Sequence, residues 1–272
     1  MPQPVTTFLR HSLALKAAMA ECLDKPTPKA VHWFRACTRR IEATLQLLID
    51  TADVPSLPKR SKRLRQSLRR IRRAASGVRD LDVHSELLAT YKTIRHAGDM
   101  EKKLSAAREN KVKKLQQHIL KDQRDIHRAL DRIETILAPA ADLNLSGGSL
   151  VHAAQTSLAP ALRGLDPKDD EDLHTIRKAC KTARYIAEIG SETSKAASSL
   201  AKRLRNIQQT TGAWHDCLTL LNEAQNALPN DSPLTQKLHA KAGSLRRQAE
   251  SKAGHLLAIK VSRPVRRASD VH

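Results

Sequence analysis

The sequence predicts an all-α fold, and three observations support this. Glycine (9) and proline (12) are sparse among the 272 residues, and most of the rest are residues that favour helices. Apolar residues recur every three or four positions, as on the buried face of a helix, and alternation typical of strands occurs nowhere. We therefore expect helices joined by short loops from one end of the chain to the other.

In the first half the apolar spacing predicts helices over 6–23, 28–51, 59–77, from residue 80 onward, and 99–137. Thr27 with Pro28 is a typical helix start, because a threonine hydroxyl can accept a bond from a free backbone N–H and proline suits the first helical position. The third helix is the most basic: no acid occurs between Lys59 and Arg79.

A loop region from residue 138 to 149 separates the halves. In the second half the apolar spacing predicts a helix over 149–163 and a second helix that begins after a cap at Asp166-Pro167. Further helices are predicted over 195–211, over 214–228, and from Ser232-Pro233 to about residue 260. Arg263, Arg266 and Arg267 follow as a basic tail.

One motif occurs twice and indicates an internal duplication. The two copies are His32-Trp33-Phe34-Arg35 followed by Arg39 and Arg40, and His174-Thr175-Ile176-Arg177 followed by Lys181 and Arg184. At about 100° of rotation per residue, each copy forms one cationic stripe along a helix. Like charges at these spacings destabilise a helix, so we expect an anion to lie against each stripe.

A second pair of matching strings follows in the same order. Residues 76–80 (Ser-Gly-Val-Arg-Asp) correspond to residues 212–216 (Gly-Ala-Trp-His-Asp), and we interpret each as the end of a basic helix. The chain is thus predicted to be a single domain over 1–272 built from two repeats, 1–140 and 141–272. Two pseudo-symmetric helical bundles would bring both cationic stripes to a shared cleft.

The charge balance indicates a polyanionic partner. Lysine plus arginine number 48 against 28 acids, a net charge of +20, which exceeds what solubility requires. Aromatic residues make up only 2%, whereas proteins that bind single-stranded nucleic acid stack bases on aromatic rings. A polyanion without bases is therefore the better candidate.

Other classes of function lack their sequence signals. The four cysteines form no C-x-x-C pair, so we expect neither a disulfide nor a zinc site. No stretch approaches 18 apolar residues and the first 21 residues do not read as a signal peptide, which favours a cytoplasmic protein. We expect no enzyme, since no nucleophilic triad, Gly-rich phosphate loop or carboxylate cluster for a catalytic metal occurs, and no cofactor is implied.

With these motifs the sequence resembles the CHAD family. The resemblance rests on His32-x-x-Arg35-x-x-x-Arg39-Arg40, on Arg79-Asp80-Leu81-Asp82-Val83, on His174-x-x-Arg177-x-x-x-Lys181-x-x-Arg184-Tyr185-x-x-Glu188 and on Gln208-x-x-x-Gly212-x-x-His215-Asp216. It implies two four-helix bundles around a central basic channel that binds inorganic polyphosphate. It also implies association with polyphosphate or polyhydroxyalkanoate granules. The Glu-x-Glu-x-Lys signature of a fused hydrolase domain is absent from this sequence, so a stand-alone binding module is expected.

The predicted polyphosphate-binding residues come from both halves. They are His32, Arg35, Arg39, Arg40, Lys62, Arg65, Arg69, Arg72 and Arg79 from the first, and His174, Arg177, Lys181, Arg184, Lys202, Arg205 and His215 from the second. Glu42 replaces an arginine expected from the family, so the first stripe either loses a cation or gains an ion-pair partner. Asp80, Asp82 and Asp216 are interpreted as caps or as partners of nearby cations, in preference to metal ligands.

Two other functions stay open on the sequence. The basic faces also suit a helical protein that binds duplex DNA or RNA, with nucleic acid expected to be the weaker competitor of polyphosphate. The lysine-rich helix over 99–137 favours a structural role on a granule surface, which is compatible with polyphosphate binding.

Overall fold

The computed structural model describes residues 1–261, and every long element in that range is a helix. The eight α-helices are α1 (Pro4–Asp24), α2 (Pro28–Thr51), α3 (Leu57–Leu88), α4 (Ala97–Leu137), α5 (Gly147–Leu158), α6 (Asp170–Ile189), α7 (Lys195–Ala227) and α8 (Pro233–Val261). No strand occurs among these residues, so the all-α prediction is confirmed. The predicted basic tail, residues 263–267, lies outside the described range.

Helix starts follow the local sequence. The Thr27 hydroxyl accepts a hydrogen bond from the backbone N–H of Ala30 at 3.2 Å, with Pro28 in the first position of α2, as predicted. The predicted cap at Asp166 is wrong: its carboxylate accepts a bond from the N–H of Lys168 in the preceding turn, and Asp169 caps α6. α5 ends at Leu158, before Pro160, because proline cannot donate the next helical hydrogen bond.

The predicted helix breaks at residues 76–80 and 212–216 are wrong. α3 runs unbroken past Gly77, and α7 past Gly212. A glycine inside a helix costs only about 1 kcal/mol relative to alanine, and apolar residues on either side continue the buried face. Val78 and Leu81 do so in α3, and Trp214 in α7. Each matched string therefore lies inside a long helix.

Three hydrophobic clusters hold the helices together. The first lies within α1–α4, and the second joins α5–α8 to Ala43 and Leu47 of α2. The third packs the end of α3 and the start of α4 against α7 and α8, around Leu81, Met100 and Leu220. As a result α2 lies beside α6 and α3 beside α7.

The two halves each contribute four helices within the described range, and the interval around Ala138–Ala140 joins them. The His32 and His174 motifs lie on the second helix of each group of four, and the later matched strings on the third. A two-fold relation between the halves stays a prediction. All four cysteines are buried, and no helix within residues 1–261 is long and apolar enough to cross a bilayer.

Candidate anion-binding cleft

α2, α3, α6 and α7 enclose a cleft of about 490 Å³, here called the central cleft. Both cationic stripes line it. Its basic side chains are Arg35, Arg39, Arg40, Arg79, Arg177, Lys181, Arg184 and Arg205, accompanied by His32. Only three carboxylates, Asp80, Glu188 and Asp216, share the walls. Eight basic groups against three acids make the cleft strongly electropositive.

Amphipathic patterning directs these cations inward. On α2, Val31, Phe34 and Ile41 are fully buried in the first core cluster, and Arg35 and Arg39 project from the adjoining face. On α6, Leu173 and Ile176 are buried in the second cluster, and Arg177 projects likewise. Because α2 and α6 are neighbours, the two faces meet across one space.

The carboxylates neutralise only part of the charge. Glu188 accepts a hydrogen bond from Arg205 at 2.7 Å and lies 3.8 Å from Arg184. Asp216 lies 3.7 Å from Arg177, and Arg79 pairs with Glu86 at 3.3 Å.

Four basic side chains of the cleft make no ion pair within the described part of the chain. They are Arg35, Arg39, Arg40 and Lys181. Arg40 instead lies over the Trp33 ring, 5.0 Å from its centroid. The Nε atoms of Arg35 and Arg177 are buried without a hydrogen-bond partner. Since buried donors normally have partners, these unused N–H groups are suited to an anionic ligand.

Lys181 is the most perturbed of these groups. Only 9% of the residue is exposed. Burial lowers the pKa of its ammonium to about 6, and the positive charges of Arg177, Arg39 and Arg35 lower it further, while Asp216 acts in the opposite direction. Burial also lowers the pKa of Arg39 to about 10, with Arg72 and Arg35 adding to the effect. The ligand-free cleft is thus crowded with positive charge, which an anion would relieve.

The two predicted histidines of the second half lie beside the cleft instead of lining it. The rings of His174 and His215 contact each other with centroids 5.0 Å apart, and Nδ1 of His174 is buried without a partner. Burial lowers the pKa of His174 to about 4, assisted by Lys178. His32 does line the cleft, and partial desolvation, with Arg79 and Arg35, lowers its pKa. Burial also lowers the pKa of His215, and each of these shifts favours the neutral imidazole when no ligand is bound.

A side pocket of about 230 Å³ adjoins the central cleft through Arg39 and Tyr185, which line both. Three predicted arginines of α3 lie there: Arg65, Arg69 and Arg72. Glu42 forms an ion pair with Arg72. Of the two outcomes expected for Glu42, the structure therefore shows the internal ion pair.

Lys62 and Lys202 lie outside the central cleft and its side pocket, contrary to prediction. Lys62 lines a groove between α3 and α4, and Lys202 lies near the α6–α7 loop. Lys62 is rotated by about 80° from Arg72 around the helix axis. Lys62 lies at the edge of the predicted stripe, and this rotation is enough for it to face a different groove.

None of the three aspartates is a helix cap, because α3 and α7 continue through them, and Asp82 and Asp216 are partners of cations. Asp82 is buried and accepts a bond from Nε of Arg108 at 2.6 Å. Asp216 faces Arg177. Among residues 1–261, no cluster of His, Cys, Asp and Glu could hold a metal ion.

The predicted site left out several lining residues, among them Gln208, Gln209, Gly212 and Tyr185. Gly212 is buried, and a Cβ added there would lie 3.5 Å from Nε of Arg177. The four-residue spacing of Gln208 and Gly212 could have indicated that these two residues line the cleft together, since it places both on one helix face. Tyr185 lies under Arg184, whose guanidinium carbon is 4.2 Å from the ring centroid.

Comparison with known proteins assigns the family. The sequence model of the CHAD domain matches residues 7–225, most of the chain. The chain belongs to the CHAD family. The match contains α2, α3 and α6 and nearly all of α7, so it covers every helix that lines the central cleft.

Solved structures show the same fold. The crystal structure of the CHAD domain from the plant Ricinus communis aligns with a TM-score of 0.68 at 18% identity, covering 96% of this chain and 91% of that one. A second structure, PptA from Streptomyces chartreusis, aligns with a TM-score of 0.60 at 18% identity, covering 95% and 100%. At such identities the likeness concerns the CHAD fold alone. A search of curated proteins gave no match.

Proposed function

We propose that this CHAD protein binds inorganic polyphosphate in the central cleft. One observation carries the proposal: the stripes of α2 and α6 face one space, and several of their cations have no carboxylate partner among the described residues. Arginine can hold two phosphate oxygens at once, and its charge persists at physiological pH. A repeating phosphate polymer matches such a row of donors.

The lining of the cleft favours a polyanion without bases. Apart from His32, the only ring among its lining residues is Tyr185, and Arg184 already covers that ring. Binding of single-stranded nucleic acid draws about 1 to 3 kcal/mol per base from aromatic stacking, for which this cleft offers no free ring. Competition tests this: polyphosphate should displace nucleic acid at much lower concentration than the reverse.

A binding assay over a range of salt concentrations tests the proposal directly. If about 6 to 8 phosphates are neutralised, raising salt from 50 to 200 mM should weaken binding about a thousandfold, by analogy with nucleic acids. Replacing Arg35 and Arg177 together by alanine should weaken it about a hundredfold or more, because each charge-assisted bond contributes about 1.5 to 3 kcal/mol.

A matched control removes two exposed arginines elsewhere. Arg203 on α7 and Arg247 on α8 are exposed and line none of the pockets described here. The Arg203→Ala plus Arg247→Ala variant has the same net charge as the cleft variant and should bind almost as the wild type does. Equal losses in both variants would mean that overall charge, not the cleft, attracts the ligand.

We further propose that the protein acts as a binding module without catalysis. Of the three cleft carboxylates, Glu188 and Asp216 are engaged by arginines, which leaves them poorly placed to hold a catalytic metal. Orthophosphate released by purified protein with Mg²⁺ or Mn²⁺ would contradict this.

Cytoplasmic localisation on polyphosphate or polyhydroxyalkanoate granules fits the same chemistry. A tagged protein should form foci in cells that synthesise polyphosphate and spread evenly in cells that do not. Foci that persist without polyphosphate would favour a structural role on the granule surface.

A further inference from the structure

A second basic surface lies on the opposite side of α3, facing α4. We call it the outer groove; two adjoining pockets of about 360 and 640 Å³ form it and share Arg63, Gln66 and Arg132. Its cations are Lys59, Arg60, Lys62, Arg63, Arg70, Arg128 and Arg132. Asp125 is the only acid among its lining residues.

Most of these cations are unpaired. Arg70 is bound to Asp122 by two hydrogen bonds of 3.0 and 3.1 Å, and Arg128 lies 3.8 Å from Asp125. By contrast, the exposed side chains of Lys59, Arg60, Arg63 and Arg132 make no ion pair within residues 1–258. Ordinary surfaces intersperse charges of both signs, so four free cations along one groove call for an anionic partner.

The basic surface continues around α3 from the side pocket to the outer groove. With 100° per residue, Arg69 faces the side pocket, Arg73 lies on the exposed ridge, and Lys62 and Arg63 line the outer groove. Lys59 to Arg73 spans about 21 Å along the helix axis, and no acid interrupts it. An extended polyanion could therefore cross α3 without meeting a negative side chain of that helix.

We propose that the outer groove binds a second segment of the same polyphosphate chain that occupies the central cleft. This rests on the proposed function, which supplies the ligand. Once the cleft holds one segment, the next is tethered at high effective concentration, so even weak surface ion pairs add to affinity. Long chains reach both sites, whereas short chains reach only the cleft. Affinity should consequently increase with chain length beyond what the cleft holds.

The test uses the full chain and the Arg63→Gln plus Arg132→Gln variant. Both side chains are exposed and lack ion-pair partners among the described residues, so the fold should be retained; circular dichroism checks this. The Arg203→Gln plus Arg247→Gln variant is the control of equal charge. Ligands are size-fractionated polyphosphates, from the shortest that the wild type binds measurably to long polymers, and a DNA duplex.

We expect the groove variant to bind long polyphosphate about tenfold or more weakly while its affinity for the shortest chain changes less than twofold. Unchanged long-chain affinity would overturn the inference, as would a loss confined to DNA, which would make the groove a nucleic-acid surface. The Arg35→Ala plus Arg177→Ala variant separates the two proposals. If it loses short-chain binding while the groove variant behaves as the wild type, the cleft function stands and only the inference fails. If the cleft variant binds like the wild type, the proposed function fails.

Discussion

Replacing Lys181 by methionine should remove a pH dependence from both stability and binding. The two side chains are similar in length, and methionine suits a buried position. Lys181 contacts the ligand space from α6, and three groups hold its pKa down electrostatically in addition to burial: Arg177 on the same helix, and Arg35 and Arg39 on α2. Asp216 on α7 acts in the opposite direction.

The effect on stability follows from the pKa of about 6 in the folded state, against an ordinary lysine value of 10.5. Between these values the unfolded chain holds a proton that the folded chain does not. The free energy of unfolding therefore rises with pH, by about 1.4 kcal/mol per unit, and the contribution stops changing below pH 6. At pH 7 the cost of burying Lys181 is on the order of 5 kcal/mol, so Lys181→Met should be more stable there. Denaturant unfolding at pH 7 and 9 measures the change, and the gap between variant and wild type should shrink at pH 9.

Binding should show the opposite trend with pH. A polyanion in the cleft favours the ammonium form, so the wild type takes up a proton at Lys181 when it binds. Its affinity should then fall about tenfold from pH 7 to pH 8. Burial, with Arg79 and Arg35, also lowers the pKa of His32 in the cleft, so proton uptake at that imidazole acts in the same direction. The comparison with Lys181→Met isolates the part that belongs to Lys181.

Calorimetry in buffers of different ionisation enthalpy measures proton uptake directly. We expect the wild type at pH 7.5 to take up close to one proton more than Lys181→Met does. The salt dependence of the variant should also be weaker, because one cation is lost. An identical proton uptake in both proteins would refute the assignment of this linkage to Lys181.

Two further predictions concern the supports of the cleft. Asp82→Asn should destabilise the fold by about 3 kcal/mol, because the buried acceptor of the Arg108 bond loses its negative charge; thermal unfolding measures this, and a change below 1 kcal/mol would contradict it. Gly212→Ala should keep polyphosphate affinity and stabilise α7 by up to about 1 kcal/mol, since the added Cβ makes an ordinary contact with Arg177. Gly212→Leu should displace that guanidinium and weaken polyphosphate binding at least tenfold. Equal affinities of Gly212→Ala and Gly212→Leu would contradict this.

The sequence determined the helices and the faces of those helices. The spacing of His32, Arg35 and Arg39, set against Val31 and Phe34, is enough to put cations on one side of α2 and apolar groups on the other. The same holds for α6. These are local consequences of 3.6 residues per turn, and they need no knowledge of distant contacts.

Tertiary packing decided which faces meet. Ala43 and Leu47 of α2 are buried with residues of α6, and this contact, between residues well over a hundred positions apart, turns two stripes into one cleft. The low pKa of Lys181 has the same origin, since packing between helices buries its ammonium and places Arg35 and Arg39 of α2 beside it.

The wrong predictions share that cause. Leu81 and Trp214 are buried by partners on other helices, and this burial carries α3 and α7 through strings that look locally like helix ends. Lys62 belongs to the basic stripe of α3 by spacing, yet α4 provides the groove that it lines. Residue spacing fixes a direction around one helix axis, and only the packing of the other helices decides what lies in that direction.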